Sequence, residues 1–286
     1  MRIHLLANTY REDAIQAACD AAKWLGEHDV QVFAEEDTAK ATKLPEVSSR
    51  DFRDCDLIVA FGGDGTLIKA AHLAEDSSTP ILGVYYGRFG FVTQCTGDNV
   101  VEVLAQFLNG EAKFEERMML QAELLRGGQT VLTLHALNEI ILQRSATVRM
   151  ITLGVIVDGH RLTNYPADGV ILSTATGSTA YNLSVGGPIL DPRVQAIILS
   201  ALAPHTLSAR PLVLRPDSEV RLDIESEGDV VLSADGQKRI HILTGDVVKL
   251  TRSPRVTKLL SVDSDDFLIK LGQRLFWSQS LLGESY

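Results

Sequence analysis

The segment Phe61-Gly62-Gly63-Asp64-Gly65-Thr66 constrains this chain more than any other. Asp56 to Phe61 is a short apolar run of strand character, and Thr66 to about Ala74 follows helical spacing, so three glycines and an aspartate stand at a strand-to-helix junction. That junction is where α/β proteins bind phosphates: glycines let successive amides approach a ligand, and the helix N-terminus adds partial positive charge. An aspartate there repels a bare phosphate and needs its own reason. Asp64 is a candidate to hold a divalent metal that bridges phosphates, to accept a proton from a hydroxyl nucleophile, or merely to cap the following helix. No Lys follows the last glycine, so this is not a Walker A loop, and the spacing is not that of a Gly-x-Gly-x-x-Gly dinucleotide fingerprint.

The surrounding hundred residues alternate between strand and helix patterns. Arg2 to Ala7, Gln31 to Ala34 and Pro80 to Val84 read as strands, and Glu12 to Gly26 reads as an Ala-rich helix with Ile15, Ala18, Ala22 and Leu25 at helical spacing. This rhythm predicts a mostly parallel sheet covered by helices. From about Leu120 the pattern turns β-rich. Arg149 to Asp158, Ala167 to Ser173, Val220 to Ile224, Val230 to Ala234 and Val247 to Leu250 are short Val/Ile/Leu runs, and Asp158-Gly159 and Asp235-Gly236 are hairpin dipeptides. One helix is expected near Pro192 to Leu202. The helical spacing of Asp265 to Trp277 suggests a tail that packs back on the first domain. The expected organisation is an N-terminal α/β domain over 1–118, a C-terminal β-rich domain over 119–260 and a tail over 261–286. A length of 286 residues agrees with two domains at roughly 150 residues each.

Composition removes several classes. The net charge of −10 comes with no basic stripe, which argues against a dedicated nucleic-acid binder. The longest apolar stretch, Val194 to Ala203, is interrupted by Gln195 and Ser200 and falls short of the roughly 20 residues of a membrane helix. The N-terminus lacks an apolar export segment, so a cytoplasmic protein without membrane partners is expected. Cys19, Cys55 and Cys95 are too few and too widely spaced for a disulfide framework or a zinc site. His4, His72, His135 and His205 show no metal-ligand spacing.

Two further stretches carry polar chemistry. Thr174 to Ser184, followed by Gly186-Gly187-Pro188, is crowded with hydroxyls and small residues after a strand. It can surround a polar ligand with amides and hydroxyls while Tyr181 offers a stacking face, or it is an ordinary Ser/Thr-rich loop. Asn138-Glu139 interrupts the apolar run Leu132 to Leu142. Neighbouring strand residues point to opposite faces, so one of the two is expected to face inward and to need a partner, from a ligand or a neighbouring turn. Asp168-Gly169 reads equally well as turn chemistry.

Together these residues resemble the NAD kinase family, whose members phosphorylate the 2′-hydroxyl of the adenosine ribose of NAD. The resemblance runs through most of the chain: Gly62-Gly63-Asp64-Gly65-Thr66, Gly87-Arg88-Phe89-Gly90-Phe91, Asn138-Glu139, Asp168-Gly169 with Ser173 to Ser184 and Gly186-Gly187-Pro188, Asp235-Gly236-Gln237, and the closing Phe267 to Trp277. The first loop alone is shared with diacylglycerol-type lipid kinases, and more loosely with phosphofructokinases; the second-domain signature is more specific.

The resemblance implies that Asp64 is the proton acceptor, with Gly65 beside it and Gly62, Gly63 and Thr66 in the phosphate loop. Asn138, Glu139 and Asp168 would hold NAD. Thr179, Ala180, Tyr181, Asn182, Leu183 and Ser184 would line the dinucleotide, with Tyr181 stacking on a ring. Arg149 and Gln237 would add substrate contacts. ATP as donor, a divalent metal such as Mg2+, and a homodimer or homotetramer are also implied. This chain departs from the family pattern with Tyr85 where many relatives have Asn, and with Pro166 where many have Lys or Arg. A lipid kinase sharing the first loop and a non-catalytic NAD(P)-binding sensor are the competing expectations.

Overall fold

The computed structural model describes residues 1–77, 79–86, 90–93, 95–145, 151–225, 230–262 and 266–275. It divides into two units: Met1–Glu116 together with the chain from Thr257, and Arg117–Val256.

In the first unit, β1 (Arg2–Ala7), β2 (Gln31–Ala34), β3 (Leu57–Gly62) and β4 (Ile81–Tyr85) form a parallel sheet in the order β4-β3-β1-β2. The short β5 (Cys95–Thr96) lies beside β4, and Leu259 pairs with Ile81 on the same strand. The helices are α1 (Glu12–Gly26), α2 (Glu36–Thr42), α3 (Asp64–Leu73) and α4 (Val100–Leu108). All six residues of β3 are buried, as expected of a parallel strand covered on both faces. Ala14, Ala18, Ala21, Ala22 and Leu25 form the buried stripe of α1, and these small side chains share a core with Leu57, Val59 and Phe61 of β3. The helix after the glycine loop begins at Asp64 rather than at Thr66.

The second unit is antiparallel β. β6 (Lys113–Arg126) pairs with β7 (Gln129–Ala136), and β8 (Glu139–Arg144), β9 (Ile151–Val157), β10 (His160–Ala167) and β11 (Gly169–Ser173) follow. A 3-10 turn (Thr176–Thr179) leads into α5 (Tyr181–Ser184). Then come β12 (Ile197–Leu202), β13 (Leu212–Leu214), β14 (Val220–Ile224), β15 (Val230–Ala234), β16 (Lys238–Ile242) and β17 (Val247–Ser261). One sheet contains β10-β9-β14-β17, and the other runs β13-β12-β11-β8-β15-β16. Their inward residues, among them Leu142, Leu153, Leu172, Leu199, Leu222 and Leu232, make one core. The last helix, α6 (Asp266–Arg274), belongs to the first unit.

Three expectations are corrected. The helix foreseen near Pro192 to Leu202 is strand β12, five of whose six residues pair with β11, from Gly169↔Leu202 to Ser173↔Ile198. A short, largely apolar run cannot be told from a buried helix by periodicity alone, and here the sheet pairing decides. The strand starting at Val247 continues to Ser261 rather than stopping at Leu250. The run Leu132 to Leu142 is two strands, β7 and β8, and the polar pair marks their junction.

Candidate active site

In the first unit, β1 lies between β2 and β3, and β3 between β1 and β4, so the connections leaving β1 and leaving β3 run to opposite sides. That strand order makes a crevice at the carboxyl ends of β1 and β3, the usual ligand position in an open α/β sheet. The glycine loop stands there. Gly63 occupies the N-cap of α3, and its carbonyl accepts the Thr66 N–H at 3.0 Å and the Leu67 N–H at 3.3 Å.

Asp64, half-buried at the first helical position, does not cap its own helix. Its Oδ2 accepts the Phe91 N–H at 2.8 Å, and its Oδ1 accepts the Val92 and Thr93 N–H groups, each at 3.1 Å. Gly90 permits this approach, since a Cβ there would overlap the Asp64 carboxylate. A carboxylate offers about four acceptor positions. Three are taken by amides, which leaves one, on Oδ2, without a partner among the described residues and open to a hydroxyl donor. Behind the same turn, the buried Lys270 of α6 donates to the Thr93 carbonyl at 3.0 Å, and the Arg274 guanidinium lies over the Phe91 ring at 5.9 Å. Gly87, Arg88 and Phe89 of the second glycine turn lie outside the described residues, and Gly65 is exposed.

In the second unit, Asn138 and Glu139 are both buried, because Asn138 sits in the bend between β7 and β8 and escapes strand alternation. Asn138 Oδ1 and Glu139 Oε2 are buried without a hydrogen-bond partner. Leaving such atoms unsatisfied costs about 1–3 kcal/mol each, which a polar ligand could recover. The Glu139 carboxyl is pushed up to about 8, first by burial and then by the nearby charge of Asp235, against a hydrogen bond from the Tyr181 N–H. Near neutral pH it is mainly the protonated acid and can donate.

The Thr174–Ser184 stretch wraps this pair. Thr179, Ala180 and Leu183 are half-buried, whereas Tyr181 and Ser184 are exposed. Asn182 is turned inward: its Nδ2 donates to the carbonyls of Ser178 and Pro188 at 3.2 and 3.3 Å, and its Oδ1 accepts from Ser200 Oγ at 2.8 Å. Its side chain shapes the loop. A cavity of about 930 Å³ is bordered by Arg144, Asp168, Tyr181, Ser184, Leu202 and Arg239. Asp168 is gripped by the Arg144 guanidinium at 2.7 and 3.2 Å, which holds its carboxyl below the usual carboxylate range. Arg144 thus supplies a cation beside Asp168 where Pro166 supplies none. Gln237 is exposed on the β15–β16 hairpin, and Arg149 lies outside the described residues.

The structure therefore brings Asp168, Tyr181 and Ser184 to one cavity and Tyr181 to Glu139. Sequence reasoning missed Arg144, which only the antiparallel pairing of β8 with β11 brings beside Asp168, and the turning of the Asp235 carboxylate onto residues 137–139.

Known proteins agree on the kind of molecule. A family profile described as the ATP-NAD kinase N-terminal domain matches residues 3–112, and one described as the ATP-NAD kinase C-terminal domain matches residues 137–262. The NAD kinase of Moorella thermoacetica is 37% identical over 277 residues, covering 96% of this chain and 89% of that protein. The NAD kinase of Citrifermentans bemidjiense is 37% identical over 285 residues, covering 97% and 99%. Among solved structures, yeast NADH kinase complexed with NADH superposes with a TM-score of 0.90 at 26% identity, covering 98% of this chain and 89% of that one. An NAD kinase from Archaeoglobus fulgidus in complex with ATP shares the fold, with a TM-score of 0.78 at 22% identity over 96% and 99%.

Proposed function

Since this chain belongs to the NAD kinase family, we infer that it is an ATP-dependent NAD kinase: it transfers the terminal phosphate of ATP to the 2′-hydroxyl of the adenosine ribose of NAD, giving NADP. The agreement of both halves with the two domains of that family carries the reading. In our assignment Asp64 accepts the proton of the 2′-hydroxyl. In favour stand its place in the glycine loop at the crevice and the acceptor position left on Oδ2. Phosphoryl transfer depends mainly on positioning, charge neutralisation and a group that orients or deprotonates the nucleophile, and Asp64 fits the last of these.

Asn138 and Glu139 hold the dinucleotide, which would satisfy their two buried, unpartnered oxygens. Tyr181 presents a ring at the mouth of the cavity for stacking, with Ser184 and the Arg144–Asp168 pair beside it. The divalent ion we propose, Mg2+, arrives with the donor. Such an ion is usually held by one or two carboxylates and the substrate's own phosphates, and no cluster of three or more metal-ligating side chains occurs among the described residues. We place the enzyme in the cytoplasm as a homodimer or homotetramer, to be tested by cell fractionation and light scattering.

A panel of acceptors tests the assignment. With ATP and Mg2+, NAD should be phosphorylated far faster than adenosine or nicotinamide mononucleotide, because recognition extends over the whole dinucleotide. Phosphorylation of diacylglycerol or sphingosine at a rate rivalling NAD would overturn it.

A further inference from the structure

Asp235 enters no step of this reaction, yet its carboxylate is turned back from the β15–β16 hairpin onto the bend between β7 and β8. Both Asp235 and Gly236 have positive φ, 48° and 69°, the left-handed pair of a tight hairpin. From there Oδ2 accepts the Leu137 N–H at 2.7 Å, and Oδ1 accepts those of Asn138 and Glu139, each at 2.9 Å. The backbone N–H of Asp235 donates to the Glu139 carbonyl at 3.0 Å. The carbonyl side of the bend is held as well: Thr174 Oγ1 donates to Leu137 O at 2.6 Å, and the Thr174 N–H to Asn138 O at 2.8 Å. Three successive amides converging on one anion form a nest, and a bend so gathered has its side-chain directions fixed.

We propose that Asp235 is a positioning residue of the dinucleotide site: by gathering the amides of 137–139 it aims Asn138 Oδ1 and the Glu139 carboxyl at NAD. The proposal rests on the assignment of Asn138 and Glu139 to that ligand. Asp235 also acts through charge. It is the one charged group, among the described residues, that acts on Glu139. The strand on one side places Ser173 opposite Glu139, the β15 strand ends at Ala234, and the loop entering α5 contributes the Tyr181 N–H. Asp235 therefore helps to keep Glu139 protonated, and a donor, near neutral pH.

Steady-state kinetics of the wild-type enzyme, Asp235→Asn and Glu139→Gln across the range from about pH 6 to about pH 10 test this. The wild-type KM for NAD should pass through an ionisation near 8. In Glu139→Gln that limb should vanish and KM should rise. In Asp235→Asn the limb should move towards acid by about one pH unit. Its KM for NAD should rise roughly ten- to a hundred-fold, with kcat less affected. A purely structural Asp235 would lower the melting temperature without moving the limb. An Asp235→Asn enzyme with the wild-type limb and KM overturns the proposal, provided Glu139→Gln has raised KM. If Glu139→Gln changes neither, the assignment of the pair to NAD falls, and the proposal with it. Should Asp235→Asn fail to fold, the same kinetics on Asp235→Ser decide: a raised KM for NAD with the limb moved towards acid supports the proposal, and the wild-type limb and KM overturn it.

Discussion

On the proposed reading Asp64 serves two purposes with one carboxylate, gathering the amides of 91–93 and accepting a proton, and its substitution should show both. Asn in its place still offers one oxygen to the Val92 and Thr93 amides, but its Nδ2 then faces the Phe91 N–H, donor against donor. An unsatisfied amide costs about 1–3 kcal/mol, so Asp64→Asn should lower the melting temperature measurably. Loss of positioned proton transfer should reduce turnover by about 10²–10⁴-fold. A variant with near-normal turnover would leave Asp64 as scaffolding only. Glu139 makes a separate claim. Its folded pKa of about 8 lies above its ordinary 4.5, so the native state binds the proton more tightly than the unfolded chain. The stability this gives is complete below about pH 4.5 and is lost as pH rises through about 8. Between pH 5 and pH 9 the wild type should therefore lose a few kcal/mol that Glu139→Gln retains. Denaturation curves that fall in parallel for the two proteins would contradict a buried, uncharged Glu139.

At the scale of elements, residues 91–93 are clamped from two helices. α3 holds the amides of residues 91–93 through Asp64, and α6 holds the Thr93 carbonyl through Lys270. Lys270→Met keeps the length and the burial of the stem but removes a charged hydrogen bond worth about 1.5–3 kcal/mol. Thermal unfolding should register that loss, while turnover falls less than in Asp64→Asn because the carboxylate remains. An unchanged melting temperature would mean that α6 does not secure this segment. These clamps mark the limit of what the sequence discloses. β1, α1, β2 and β14 follow directly from local periodicity, and the Asp158-Gly159 and Asp235-Gly236 hairpins from turn chemistry. The identity of the loop residues was legible for the same reason, since Gly-Gly-Asp-Gly-Thr needs only its neighbours to be recognised. β12 was not legible, because Ile197 to Leu202 is apolar but for Ser200, without the alternation of a half-buried strand, and only its pairing with β11 makes it a strand. Nor were the partners of Asp64 and Asp235, which lie 27 to 29 and 96 to 98 residues away along the chain. Contacts over such separations are set by topology, which no local pattern encodes.

At the scale of the molecule, a parallel α/β unit and an antiparallel β unit each present a nest of three amides around one aspartate, the first at the glycine loop and the second at the Asn138–Glu139 bend. On the reading proposed above, these two features serve a single reaction. The direct test is to follow the transferred phosphate. The purified protein should be incubated with NAD, Mg2+ and ATP labelled in its terminal phosphate, and the product examined by phosphorus NMR and mass spectrometry. The account predicts that the label appears as a monoester on the 2′-oxygen of the adenosine ribose, with ADP formed in equal amount. Label released only as inorganic phosphate, or found on another hydroxyl, would contradict it.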